Sequence, residues 1–298
     1  MSIIPSIIAK TITSITSQDI QGATAVRQYG FEDYSNLKHI ELPSTVTSIG
    51  DNAFDGCFSL QNVTFPSSLV SIGMRAFNRC KSLTSVVLPA SVKKVGTQAW
   101  YSYDSETGSS EPLNITTVDL SQLPEDCNID DDALIGTKWY NNQPNNTFLL
   151  AGDDTILMKF KGDTLPGDIP NTVRTISSGA MGDLKSPTTL VIPDTVRRLY
   201  GDPVSSANNV VTIIIGAGVH TMRAGSMGST KVTTWICRQP ANMVLDIPTE
   251  AGDGKGLAYD KSSRSFTLYT DNEMLKAYNW SGDNVTATIK PLSEAPAT

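Results

Sequence analysis

A repeat of 23 residues is the feature that most constrains how this chain folds. Three consecutive segments begin at Leu37, Leu60 and Leu83, and the same residue types recur at equivalent positions in each segment. The aligned sets include Ile40/Val63/Val86, Pro43/Pro66/Pro89, Ile49/Ile72/Val95, Gly50/Gly73/Gly96 and Phe54/Phe77/Trp100. A fixed period of this length predicts a solenoid, in which each repeat buries its apolar side chains against the neighbouring repeats.

The pattern inside one repeat predicts the course of the coil. The segment from Leu37 to Leu42 alternates apolar and polar residues, as a strand with one buried face does, and Pro43 ends it. The run DNAFDGC then predicts a short helical turn that supplies Ala53 and Phe54 to the core. Parallel strands of successive coils should therefore stack at roughly 4.8 Å, with Phe77 fully buried between its neighbours.

These repeats resemble the BspA-like leucine-rich repeat, the Treponema-type class, whose consensus is near LxxIxLPxxVxxIGxxAFxxCxx. The resemblance is most specific over residues 37–100. It implies a β-rich leucine-rich-repeat solenoid with short helical turns. Arrays of this kind include some encoded by phages and prophages of gut bacteria, whose ending resembles the AYNW and IKPL segments of this chain.

The remaining residues follow the repeat more loosely and suggest three regions. Residues 1–36 are interpreted as an N-terminal cap with a degenerate first repeat, and residues 37–230 as the solenoid, with inserts at 101–112 and 141–168. The run GTKWYNNQP resembles an insert found in such proteins and predicts a hairpin-like excursion from Phe148 to Phe160. Residues 231–298 are interpreted as a capping module with a short helix around Glu273 to Tyr278, because a terminal repeat has no next coil to cover it.

Composition excludes several classes of partner. The formal net charge is −7 and no basic stripe occurs, which argues against nucleic-acid binding. No run of 18 apolar residues occurs, which argues against membrane insertion. The first 20 residues lack a basic start and are interrupted by Pro5 and Lys10, so we do not expect a secretory signal there.

The sequence predicts no catalytic, metal or cofactor site. Only His39 and His220 are present, and no Gly-x-Ser-x-Gly motif accompanies them. Cys57 and Cys80 occupy the same repeat position and are expected to be buried free thiols, with a bridge left open for an oxidising compartment. The acidic run of residues 130–132 lacks the spacing of a calcium loop and is expected to be a solvated turn.

The outward strand positions and two loop tyrosines make up the candidate interaction surface. Its residues are His39, Glu41, Asn62, Thr64, Ser85, Val87, Tyr101, Tyr103, Val191 and Ile214. Val191 and Ile214 should lie side by side on the outer face of the sheet, covered either by the 141–168 insert or by another chain.

A non-enzymatic binding or structural role follows from these features. The favoured hypothesis is a phage virion component, in a tail or capsid fibre or as decoration, that contacts other virion proteins or a protein or glycan of the host exterior. The alternatives are a bacterial cell-surface adhesin of the BspA type and an intracellular leucine-rich-repeat scaffold. A second copy of the chain is a further candidate partner.

Overall fold

The computed structural model describes residues 10–103, 108, 110–205, 207, 209–229, 231–249, 256–258 and 264–297. Residues 1–9, and residues 104–107 and 109 of the predicted 101–112 insert, therefore lie outside the described residues. The chain forms two compact units, one of residues 1–143 and 151–153 and the other of residues 144–150 and 154–298. Each unit is a β-solenoid of parallel strands, which confirms the predicted fold class.

Unit 1 contains three groups of hydrogen-bonded strands and one helical turn. The first sheet consists of β1 (Ser14–Ile15), β3 (His39–Glu41) and β5 (Asn62–Thr64), and the next two coils supply the pair β7 (Ser85–Val87) and β9 (Thr117–Asp119). The other sheet has the order β10 (Asn128–Ile129), β8 (Lys94–Val95), β6 (Ser71–Ile72), β4 (Ser48–Ile49) and β2 (Ala25–Val26). The helix α1 (Lys138–Asn141) begins after Thr137, whose side-chain oxygen accepts a hydrogen bond from the backbone N–H of Tyr140.

The predicted 23-residue offset is observed between β3 and β5 and between β4 and β6. His39 pairs with Asn62, and Ile49 pairs with Ile72. Between the strands, the aromatic side chains of successive coils form one stack of nearly parallel rings. Phe54 and Phe77 lie 5.1 Å apart between ring centroids, and Phe77 and Trp100 lie 5.6 Å apart. Phe77 is fully buried, as the repeat predicts.

The described strands of unit 2 form two sheets. One has the order β11 (Thr147–Ala151), β12 (Ile156–Lys161), β13 (Thr175–Ile176), β15 (Arg198–Leu199) and β17 (Thr221–Met222). The other has the order β14 (Thr189–Ile192), β16 (Thr212–Ile215), β18 (Thr234–Cys237), β19 (Arg264–Thr270) and β20 (Val285–Lys290). The strands β11 and β12 occupy the segment where the sequence predicts a hairpin-like excursion. Because β12 pairs in parallel with β13, it is also a strand of the solenoid.

The last coil carries the predicted short helix, α2 (Glu273–Ala277). Asn272 caps it: its side-chain oxygen accepts from the backbone N–H groups of Met274 and Leu275, while its amide donates to two carbonyl oxygens of the preceding coil. Two 3₁₀ helices follow, Trp280–Asp283 and Leu292–Glu294. The ring of Trp280 packs edge-on against Phe266, so it covers the inner side of the final strands.

Candidate binding surface

The strand positions that point away from the core of unit 1 form two rows. One row contains His39, Asn62, Ser85 and Thr117, and the other contains Glu41, Thr64, Val87 and Asp119. Ser85 is half-buried and the other seven residues are exposed. We call these eight residues the open strand face. Six of them, all but Thr117 and Asp119, belong to the interaction surface that the sequence predicts.

Backbone ladders fix the positions of these side chains. Asn62 pairs in register with His39, and Asp119 pairs with Val87, so neighbouring side chains within each of these two strand pairs are separated by the inter-strand spacing. Among the described residues, β5 and β7 belong to different hydrogen-bonded groups. The inward residues Ile40 of β3 and Val86 of β7 are buried in the core, whereas Val63 of β5 and Val118 of β9 are half-buried. A partner that binds this face therefore meets side chains whose backbone is already ordered, which lowers the entropy lost on binding.

The chemistry of the open strand face is polar and weakly acidic. The side-chain amide of Asn62 and the ring nitrogen Nδ1 of His39 lie 3.3 Å apart. Asp119 accepts hydrogen bonds from the hydroxyl and the backbone N–H of Ser121, and these bonds hold the pKa of its carboxyl below the usual value. Glu41 is a second carboxylate, whereas no Lys or Arg occupies the eight positions. The only large apolar side chain is Val87, which is 54% exposed.

Tyr101 and Tyr103 lie away from the two strand rows. They follow Trp100, on the side of the coils where the aromatic rings stack. The backbone of Tyr103 is tied to the side chain of Asn78, which accepts from its N–H at 3.1 Å and donates to its carbonyl oxygen at 3.3 Å. Tyr103 remains 39% exposed, whereas Tyr101 is half-buried and packs against Gly136.

Val191 and Ile214 are cross-strand neighbours in unit 2, as expected from the sequence. Their accessibility differs sharply, because Val191 is 46% exposed and Ile214 is fully buried. Ile214 therefore corrects the candidate set: a buried side chain presents no surface to a partner. Strand alternation gives the direction of a side chain but not whether other residues cover that side of the sheet. Ile236, which pairs with Ile214 on the next strand, is also buried.

The ten candidate residues thus occupy three places rather than one. Six lie on the open strand face, two lie on the turn side of unit 1, and two lie on a sheet of unit 2, where only Val191 is accessible. Thr117 and Asp119 are not in the candidate set, although the alternation of Val118 and Leu120 with polar residues after the 101–112 insert places both at outward strand positions.

Among the residues that the structure describes, those best suited to hold a metal ion are Asp130, Asp131 and Asp132, whose carboxylate oxygens lie within 4.8 Å of one another. Burial, a hydrogen bond with Asp130 and repulsion from that carboxylate raise the pKa of Asp132 to about 7. The hydroxyl of Thr97 donates to Asp130 and the backbone N–H of Gln98 donates to Asp132. These contacts give the cluster a structural role in joining two coils.

The two histidines have ordinary polar neighbours. His39 contacts the amide of Asn62, and the ring of His220 lies 3.0 Å from the hydroxyl of the adjacent, buried Thr221. In the part of the chain that the structure describes, no helix is long and apolar enough to cross a membrane.

Comparison with known proteins identifies the repeat. The model of the BspA-type leucine-rich repeat region matches residues 9–131, with six copies. No curated protein matches the chain.

Solved structures that are similar to this chain include three leucine-rich-repeat proteins. One is a leucine-rich repeat protein of T. pallidum, with 20% identity over 79% of this chain and 81% of that one and a TM-score of 0.32. Another is a leucine-rich repeat protein from Bacteroides ovatus, with 15% identity, coverage of 93% and 92%, and a TM-score of 0.33. The third is a leucine-rich cell-surface protein from Faecalibacterium prausnitzii, with 16% identity, coverage of 79% and 91%, and a TM-score of 0.27.

Proposed function

We propose that the chain, whose residues 9–131 match the model of the BspA-type leucine-rich repeat region, is a non-enzymatic binding protein that recognises its partner through the open strand face. The observation that carries this proposal is the accessibility of both outward rows across β3, β5, β7 and β9 above a closely packed core. Proteins built from leucine-rich repeats mediate protein–protein contacts, and an ordered sheet surface suits that role.

The chemistry of the open strand face favours a protein or glycan as the partner. Amide, hydroxyl and imidazole groups offer both donors and acceptors, and Val87 offers an apolar contact near the centre of the face. Two carboxylates without a basic residue oppose binding to nucleic acid or to an acidic membrane surface.

The proposed setting is a phage particle, where the chain would act as a tail or capsid component that touches the host exterior. This part of the proposal rests on the resemblance of the ending from Ala277 to Leu292 to phage-encoded arrays. The alternative setting is the surface of a bacterium, as for exported BspA-type proteins. Mass spectrometry of purified particles, compared with protease shaving of intact cells, separates the two settings.

Binding can be tested with two panels of probes that also separate the two settings. One panel contains bacterial envelope glycans and outer-surface proteins, which a host-attachment protein should bind. The other contains extracellular matrix proteins, which an adhesin should bind. The double variant Thr64→Arg/Val87→Arg should raise the Kd for the bound probe roughly tenfold or more, because both substitutions place bulk and positive charge at the centre of the face.

Val211→Arg is the matched control, because Val211 is also an exposed valine, 41% accessible, in the other unit. It should leave the Kd unchanged. Binding that is lost equally in both variants, or in neither, contradicts the use of the open strand face.

A further inference from the structure

The strand β20 closes the second sheet of unit 2 and leaves one edge without a partner strand among the described residues. It pairs in parallel with β19 over six residues, from Arg264↔Val285 to Tyr269↔Lys290. An edge strand of this length offers a row of backbone donors and acceptors to another chain, and proteins usually protect such edges with charges, proline or bulges. Residues 285–289 have the sequence VTATI, without a charge, a proline or a glycine.

The hydrogen-bond register shows which backbone groups face outward. Thr267 of β19 donates its N–H to Thr233, on the side of β18. Because bonding directions alternate along a strand, Phe266 and Leu268 face β20 instead. In a parallel ladder, Phe266 then bonds to the two residues that flank its Cα partner Ala287. The N–H and C=O groups of Ala287 therefore point to the free edge, as do those of Val285 and Ile289.

The side chains of the same three residues lie on the inner side of the sheet. Their partners Phe266 and Leu268 belong to the core, and Val285 is buried with them. The exposure of these side chains increases along the strand: Ala287 is half-buried and Ile289 is 37% exposed. The edge thus combines backbone groups that have no partner strand among the described residues with an incompletely covered apolar row.

We propose that this edge pairs with the β20 strand of a second copy of the chain, antiparallel and around a two-fold axis at Ala287. Ala287 then faces Ala287 of the second copy, and Val285 faces its Ile289. The backbone groups of Val285, Ala287 and Ile289 of each copy then form hydrogen bonds with those of the other copy. The half-exposed apolar row on the inner side of the sheet continues from one copy into the other.

The charges along the strand favour this register. Lys290, the one charged residue of β20, lies opposite the neutral Asn284 of the second copy. A two-fold axis at Ile289 would place Ala287 opposite Pro291, which has no N–H to donate. An axis at Val285 would place Ala287 opposite the fully buried Asp283. Only the axis at Ala287 keeps every hydrogen-bonded pair inside β20.

Cysteine crosslinking tests both the pairing and its register. The four native cysteines are buried and free, and burial raises the pKa of the Cys57, Cys127 and Cys237 thiols to about 12, so the native background should be unreactive. In Ala287→Cys, the two new residues form a hydrogen-bonded pair with Cα atoms about 5.5 Å apart, within the range of a disulfide. In Thr286→Cys, the two Cα atoms lie about 8 Å apart, beyond that range.

Mild oxidation should therefore give a covalent dimer of the Ala287→Cys variant and leave the Thr286→Cys variant monomeric on non-reducing gels. Equal crosslinking of both variants would exclude the proposed register, and no crosslinking of either at high protein concentration would overturn the pairing. A stable complex with a different chain in place of the dimer also counts against the proposal.

Sedimentation equilibrium supplies an independent measurement. Ala287→Pro removes only an outward N–H and should raise the dissociation constant of the dimer by roughly thirtyfold, since two hydrogen bonds are lost across the axis. Ala287→Ser keeps that N–H and should not change the constant. If Ala287→Pro fails to fold, Ile289→Lys serves instead, with Thr288→Lys on the opposite side of the same strand as its control. A dimer that survives both edge variants would refute the inference.

Discussion

Replacing Phe77 by alanine should be among the most destabilising single changes in unit 1. Phe77 is fully buried in the middle of the aromatic stack. Its ring lies nearly parallel to those of Phe54 and Trp100, with interplanar angles of 6° and 3°, and contacts Phe65 edge-on at 5.8 Å. The substitution therefore removes contacts with three other aromatic rings at once.

The expected cost follows from burial and stacking together. Truncating a buried Phe to Ala costs about 3–5 kcal/mol, and the higher values apply where the surroundings cannot collapse into the cavity. The neighbouring rings of Phe54 and Trp100 are held by their own coils, so collapse is restricted here. Each aromatic pair contributes about 0.5–1.5 kcal/mol beyond its buried area, so we expect a loss of about 4–5 kcal/mol.

Urea denaturation should measure this loss, with circular dichroism and tryptophan fluorescence as separate probes. Two probes are needed because repeat arrays and two-unit chains can unfold in steps, and the free energy refers to the transition of unit 1. Phe58→Ala is the matched control. Phe58 is 38% exposed, and its truncation removes ring contacts with Arg79 and Lys81 together with partial burial, so we expect about 1–2 kcal/mol. A loss below about 1 kcal/mol for Phe77→Ala would refute the assigned repeat register.

Three further changes test other parts of the chain. Gly73→Ala should cost about 1–3 kcal/mol, because its Cβ would lie 2.6 Å from backbone atoms of the preceding coil, whereas Gly167→Ala, into open space, should stay within about 0.5 kcal/mol. Burial raises the pKa of Asp202 to about 7, so the wild type should lose stability as pH rises from about 4 to 7. In urea titrations at several pH values, Asp202→Asn should remove the part of that slope that Asp202 contributes and leave the part that Asp132, with a pKa also raised to about 7, contributes. Ile214→Lys should lower the melting temperature strongly, since it buries a charge, and Val191→Lys should not; equal shifts would contradict the different burial of this pair.

The inward half of each repeat could be predicted because packing determines it. Ile49, Ile72 and Phe77 occupy positions where only an apolar side chain of suitable volume is compatible with the coils above and below. The same physical constraint acts at every coil, so it leaves a periodic signal in the sequence. The strand registers and the buried aromatic stack were therefore predictable without a structure.

The turns after each second strand were less predictable. Asn52, Arg75 and Gln98 occupy one repeat position and all adopt left-handed backbone conformations, with φ of 52°, 51° and 53°. None is glycine, and the three residue types share no preference that would indicate such a turn. Stacking imposes the conformation, since the backbone N–H groups of Asn52 and Arg75 donate to carbonyl groups of the next coil. The recurring glycine two positions earlier instead permits close approach, as Gly73 shows.

For the outward residues of each repeat, the sequence predicts the direction of the side chains but not their burial. Alternation correctly places Val191 and Ile214 side by side, but the burial of Ile214 depends on residues that cover the sheet rather than on the strand itself. The same limit applies to β20. Its alternating, β-branched sequence is visible as VTATIK, yet its position at the end of a sheet follows only from the strand order.

The open strand face of unit 1 and the sheet of unit 2 that ends at β20 therefore differ as binding surfaces, although inward and outward side chains alternate along the strands of both. In unit 2, threonines recur in register at one outward position of every strand, namely Thr189, Thr212, Thr234, Thr267 and Thr288. The adjacent row contains the buried Ile214 and Ile236, so its accessible side chains are interrupted in the middle of the sheet. In unit 1 both rows are accessible, and their residue types change from coil to coil, from His39 to Asn62 to Ser85. Because core packing does not constrain these outward residues, their variation can encode a specific partner, and the open strand face is where that specificity should lie.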